Sequence, residues 1–414
     1  MQPQQILAQP FTLPNGTVIP NRLVKAAMSE ALGTADGHPT PRLNVLYQRW
    51  AEGGVGLNIT GNVMIDRRAL GEPHNVVVEN ESDLADLRRW AEASTQNGCQ
   101  IWMQINHPGK QAPKALNKET VAPSAIPLRG DMASTFFAIP RELTIHEIED
   151  LIQRFGKTAA IAKKAGFTGV QIHGAHGYLI SQFLSPYHNQ RTDEWGGSAE
   201  KRRSFALAIL KEIRQQVGDQ FPIGIKLNSS DFQRGGFTEE ESLDTIRALT
   251  HAGIDLVEIS GGTYEAPAMT GLRKVKESTR KREAYFLEFT EKVRSEIKVP
   301  LMLTGGFRSS KGMVEAISSG AVDFIGLGRP LAIDPELPQR LLNSQEAVSS
   351  VRAISTGIKA IDRMGLLEIT WYTRQIQRMA RGDNPRPNES ALRSLILSAL
   401  ERGWKAFETR RLRA

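Results

Sequence analysis

Residues 165–198 read AGFTGVQIHGAHGYLISQFLSPYHNQRTDEWGGS, and the architecture follows from how this run begins. Thr168-Gly169-Val170-Gln171-Ile172 is a short β-branched run entered through glycines, the pattern of a buried strand. His173, His176 and Tyr178 come directly after it. In a parallel α/β protein, ligands sit at the carboxyl ends of strands, so two imidazoles and a phenol at a strand exit face the mouth of an active site. A lone histidine in a strand is most often a hydrogen-bonded core residue. Two of them with a tyrosine, among glycines that pack no core, point to a site instead.

Outward from this strand the chain alternates. Upstream, 22–28, 55–60 and 99–105 read as strands, with helical patterns at 41–52, 83–96 and 146–164, so the opening strand is the fourth. Downstream, strand patterns at 223–227, 256–259, 300–303 and 322–326 alternate with helical ones at 199–217, 239–252, 283–297 and 311–318. Eight strands, each followed by a helix, are the arithmetic of a (β/α)8 TIM barrel and not of an open dinucleotide-binding sheet. Ahead of the barrel, Asn15-Gly16 marks a small hairpin that closes its bottom.

The reading divides the chain into a barrel at 1–335 and a helical C-terminal extension at 336–414, with helical patterns at 347–364, 369–380 and 391–407. In the extension, Trp371, Tyr372 and Arg378 are large enough to reach a site mouth, in this subunit or a neighbouring one. The connection 107–142 is long and rich in proline; it reads either as a lid over the site or as a surface decoration.

Composition narrows the function classes. The 414 residues are 40% hydrophobic and 23% charged, ordinary for a globular chain. A net charge of +7 favours anionic ligands weakly, but the basic residues are scattered, which argues against a nucleic-acid partner and for a solvated surface. The dense run Arg410-Arg411-Leu412-Arg413 reads as a solvated tail. Cys99 is the single cysteine, so an intrachain disulfide and a Cys-rich iron–sulfur or metal cluster are excluded; at the start of an apolar strand it reads as a buried thiol. No apolar run approaches the ~18 residues of a membrane span, so a cytoplasmic protein with no membrane partner is expected.

Two glycine turns carry a second signal. Thr304-Gly305-Gly306-Phe307 closes the seventh strand and Gly326-Leu327-Gly328-Arg329 the eighth, the loops where barrels hold phosphates. Glycine lets backbone N–H groups approach an anion, and Arg329 can grip one with two donors.

The run HGAHGYLISQFLSPYHNQRTDEWGG at 173–197 resembles the signature of the old yellow enzyme family of FMN-dependent oxidoreductases, and the likeness extends over the barrel. The resemblance implies noncovalent FMN, NADH or NADPH as hydride donor, and an electron-poor alkene (an enone, enoate or nitroalkene) as substrate. It places the backbone of Ala26, Ala27 and Met28 along the flavin, Ser29 near its C4 oxygen, Gln104 at its pyrimidine edge, and Gly305, Gly306, Gly328 and Arg329 on its phosphate. His173 and His176 would hold the substrate oxygen and Tyr178 would protonate the α carbon. Lys226 stands where relatives place arginine; it keeps the positive charge without the planar fork. A lysine within an apolar strand needs an anionic or carbonyl partner in any case. Arg191 and Asp193 match the run as a loop staple.

Other readings remain at this stage. Some relatives act as NAD(P)H oxidases or oxidative demethylases, and a flavin carrier would need only the phosphate loops. A metal-dependent barrel hydrolase would use His173 and His176 as ligands, although the other strand ends lack the companions such sites need, so no metal is expected. The sequence leaves a homo-oligomer open.

Overall fold

The computed structural model describes residues 3–130, 133–263, 265, 283–343, 346–358, 362 and 367–401; the basic tail at 410–413 lies outside them. Eight parallel strands form a closed ring: β1 (Leu23–Lys25), β2 (Leu57–Ile59), β3 (Gln100–Asn106), β4 (Gly169–Gly174), β5 (Ile223–Asn228), β6 (Leu256–Ser260), β7 (Leu301–Thr304) and β8 (Phe324–Leu327). They neighbour one another in chain order, and β8 closes on β1 with Leu327 opposite Lys25. Helices α1 (Pro41–Glu52), α2 (Leu84–Ser94), α3 (Ile145–Lys164), α4 (Ala199–Val217), α5 (Glu239–His251), α6 (Leu287–Glu296) and α7 (Ser310–Ser318) cover the outside.

Alternation along each strand separates two apolar layers. Outward residues such as Leu23, Ile101, Val170 and Ile225 join the helices in the main core. Inward residues Val24, Leu57, Trp102, Leu256, Met302 and Phe324 fill the barrel floor. Trp102 is the plug, and two glycines make room for it. A Cβ at Gly169 would lie 2.5 Å from its indole and one at Gly224 2.7 Å. The expected hairpin, Phe11–Thr12 against Val18–Ile19, caps this floor, with Leu13 and Ile19 in the same cluster.

After β8 come the short helices α8 (Arg329–Ile333) and α9 (Leu337–Leu342), and then α10 (Leu367–Met379), close to the expected 369–380 helix. A further helix runs from 391 to 401 within the described residues, the rest of the expected 391–407 pattern lying beyond them. The helix expected at 347–364 is not formed over 346–358, where the chain is irregular. Its backbone bonds elsewhere. Ala347 O accepts from Ser310 N, Ser349 N donates to Arg308 O, and Arg352 O accepts from the Tyr372 hydroxyl. Apolar spacing was compatible with a helix, but tertiary partners claimed the groups that a helix needs.

Candidate active site

At the carboxyl end of the barrel a cavity of about 300 Å³ runs from the strand tips to the last two loops. His173, His176 and Tyr178 line one end together with Gln104 and Lys226. Ala27, Met28 and Ser29 form one side, and Gly305, Gly306, Gly328 and Arg329 the other end. The Ala26 side chain packs into the barrel floor with Val24 and Ile59, beneath the cavity, while the expectation there concerns its backbone.

The imidazoles are oriented by their surroundings. The Ala175 N–H donates to His173 Nδ1 at 3.3 Å, so the neutral ring carries its proton on Nε2. His173 meets Tyr178 edge-on with ring centroids 4.8 Å apart, and His176 with centroids 5.2 Å apart. His176 adopts φ +61°, in the left-handed region, which turns its side chain back over the strand exit. Its N–H donates to Asn228 Oδ1 at 3.1 Å, and its Nε2 lies 2.9 Å from Ser260 Oγ, leaving Nδ1 as the other ring nitrogen. Gly177 must be glycine: its φ is +78°, and a Cβ would collide with the Gln111 amide, which itself donates to His176 O at 2.9 Å.

Burial, and after it the Lys226 ammonium, hold both site imidazoles well below their ordinary range; burial also pushes His107, at the exit of β3, down to about 4. A base whose folded pKa is depressed binds its proton more readily in the unfolded chain. Below about pH 6.5 the unfolded state therefore holds more protons, and unfolding free energy should fall as pH is lowered from there towards 4. The expected slope is up to about 1.4 kcal/mol per pH unit for each neutral imidazole. Urea midpoints at stepped pH check this, and a midpoint flat between pH 7 and 5 would refute it.

Behind Lys226 the sequence reading missed a partner. Lys226 Nζ lies 2.9 Å from Glu258 Oε1 as an ion pair, off hydrogen-bond alignment, and both groups are buried. The signal was there: Leu256-Val257-Glu258-Ile259 sets a carboxylate inside an apolar strand with the same parity as Lys226. At the other end Arg329 Nη1 donates to Glu368 Oε2 at 2.9 Å, from α10. Glu368, Ile369, Tyr372, Thr373 and Ile376 make α10 a wall of the cavity in the same chain. Of the extension's candidate side chains only Tyr372 reaches it; Trp371 donates to Glu389 O at 3.1 Å and Arg378 to Asn384 O at 3.3 Å.

No described residue of 107–142 other than the strand-side brace just given approaches this cavity; the connection encloses a separate hollow of about 740 Å³. Ion pairs line it, among them Arg68 with Asp66 at 2.7 Å and Arg141 with Glu147 at 2.8 Å. Arg191 and Asp193 pair at 2.6 Å as the expected loop staple. Cys99 is buried, with its thiol pushed up to about 12 by burial. Among the described residues no three His, Cys, Asp or Glu side chains are placed to hold a metal ion, and no helix is long and apolar enough to cross a membrane.

Residues 6–347 match the NADH:flavin oxidoreductase / NADH oxidase family. The chain belongs to that family. It is 40% identical over 364 residues to the NADH-dependent flavin oxidoreductase iliE of Hypocrea jecorina (strain QM6a), covering 82% of this chain and 90% of the relative. A 2-naphthoyl-CoA reductase solved with 2-naphthoyl-CoA superposes with a TM-score of 0.76 at 28% identity, over 83% of this chain and 53% of that one, so this chain spans about half its length. The old yellow enzyme homologue from Zymomonas mobilis shares the fold, with a TM-score of 0.71 at 24% identity over 83% and 94% of the two chains. This is thus a flavin oxidoreductase that uses FMN and a reduced nicotinamide.

The cavity fits FMN on its own evidence. Ser29 Oγ and Thr304 Oγ1 line it as buried hydroxyls without a hydrogen-bond partner among the described residues. At Gly328 an added Cβ would have only the Met28 side chain near it, at 3.8 Å, so the backbone there is open to the cavity. Gln104 and Lys226 offer amide and cationic groups for a pyrimidine edge at the opposite end.

Proposed function

We propose that this enzyme reduces C=C bonds conjugated to a carbonyl or nitro group. Bound FMN supplies the two-electron carrier between the nicotinamide and the alkene. Gln104 and Lys226 would hold the pyrimidine edge, where the Lys226 ammonium would stabilise negative charge on the reduced cofactor. Ser29 would donate to the C4 oxygen, Ala27 and Met28 would lie along the ring, and Gly305, Gly306, Gly328 and Arg329 would hold the phosphate without a covalent link. The His173 Nε2–H holds the substrate oxygen and polarises the alkene, with His176 beside it through Nδ1. Tyr178 delivers the proton to the α carbon.

The observation that carries this reading is the convergence of donors. His173 is locked with its N–H on Nε2 and packs edge-on against a phenol at 4.8 Å, at the cavity end that also holds Lys226. A neutral imidazole donor beside a proton donor suits an oxygen-bearing electrophile; a flavin carrier needs neither.

The test is anaerobic. Yellow protein should bleach with NADH or NADPH and recover its colour when an enone, enoate or nitroalkene is added under argon. Bleaching reversed by oxygen but by no alkene would make it an NADH oxidase. A demethylase would instead be bleached by an N-methyl amine, and colour that neither nicotinamide removes would leave a carrier.

A further inference from the structure

We propose that Glu258, a residue behind the cavity wall, sets the hydrogen-bond polarity and the charge of the edge that receives the flavin pyrimidine. The proposal rests on the reading that this edge lies against Gln104 and Lys226. Glu258 is fully buried on β6, opposite Lys226 in register, while Gln171 on β4 is opposite Gln104 on β3. Neither Glu258 nor Gln171 lines the cavity. They connect the two residues that do. Gln171 Nε2 donates to Glu258 Oε2 at 2.7 Å, and Gln104 Nε2 donates to Gln171 Oε1 at 2.7 Å.

The orientation of this chain is forced from one end. A carboxamide can be turned over with little change in shape, so its sense is decided only by its partners. A carboxylate paired with an ammonium accepts and does not donate. Gln171 must therefore turn its NH2 to Glu258, which leaves its oxygen for Gln104. Gln104 must then spend an N–H on Gln171, and keeps its own oxygen and one N–H. A flavin pyrimidine presents one N–H between two carbonyl oxygens. An edge with the Gln104 oxygen as acceptor, flanked by the remaining Gln104 N–H, the Lys226 ammonium and the Ser29 hydroxyl as donors, is its complement.

Glu258 also cancels charge. With the pair intact, the Lys226 ammonium acts on the flavin as one half of an ion pair 2.9 Å long rather than as a full net charge. This moderates its preference for reduced over oxidised cofactor. Glu258 touches neither cofactor nor substrate, and is a positioning residue.

Dissociation constants for oxidised and reduced FMN, with the midpoint potential of the bound cofactor, test this. Glu258→Gln should raise the ratio of the oxidised to the reduced constant by about tenfold, which for a two-electron couple is about 30 mV. Glu258→Asp keeps the charge and should return the ratio to the wild-type value. Gln171→Met cuts the relay and leaves the ion pair, so it should weaken both forms equally, by roughly 5- to 10-fold, with no change in ratio. An unchanged ratio in FMN-loaded Glu258→Gln overturns the proposal. If that variant does not fold, wild-type affinity in Gln171→Met overturns it instead. Failure of the wild type to bind FMN in either form would count against the functional reading as a whole, not against the role of Glu258.

Discussion

Tyr178→Phe should bleach with NADH or NADPH at close to the wild-type rate, yet be reoxidised by an enone more slowly by roughly 10²- to 10⁴-fold, the contribution of a positioned general acid. The substitution removes one oxygen and keeps the ring that packs edge-on against His173, so the site's shape should survive. Tyr178 is almost wholly buried and stands at the residue before the short helix Leu179–Leu184, which fixes its backbone. Nitroalkenes should show a much smaller defect, because the nitronate product can leave unprotonated. His173→Ala gives the contrasting pattern: weaker binding of phenolic or carbonyl ligands, since that residue holds the oxygen and not the proton. Stopped-flow measurement of the two half-reactions separates the cases, and enone reoxidation of Tyr178→Phe at the wild-type rate would remove the phenol from the mechanism.

The second large effect is expected at the phosphate end. Arg329→Ala should weaken FMN binding on the order of 10- to 100-fold, the range for losing a charged hydrogen bond to a phosphate. The loss is enlarged by Glu368, whose carboxylate pairs with Arg329 at 2.9 Å and would then face the phosphate with no cation between them. Glu368→Gln should act in the opposite sense and tighten FMN several-fold, because it removes a like charge and frees the guanidinium. Fluorescence titration of apoprotein with FMN measures both. Full FMN stoichiometry and wild-type affinity in Arg329→Ala would reassign the arginine to packing α10 against the barrel.

The barrel was legible because its evidence is local. Strand and helix periods, the Asn15-Gly16 turn and the glycines at strand exits are properties of neighbouring residues, and the observed strands 169–174, 223–228 and 256–260 start or end within a residue or two of where the pattern puts them. The histidine–tyrosine constellation was legible for the same reason: three functional groups lie within six residues, on one strand exit.

What failed or went unseen depended on distant chain. The helix expected at 347–364 lost its backbone partners over 346–358 to Arg308, Ser310 and Tyr372. Glu368 entered the site only through the packing of α10 on the barrel mouth, which also decided that Tyr372, and not Trp371 or Arg378, reaches the cavity. The pairing of Lys226 with Glu258, and the amides that join Glu258 to Gln104, depend on how β3, β4, β5 and β6 are offset against one another. Each strand carries its own alternation of inward and outward residues, but which inward residues share a level is a property of the closed ring, since the stagger between strands is set by closure and cannot be read along any one of them.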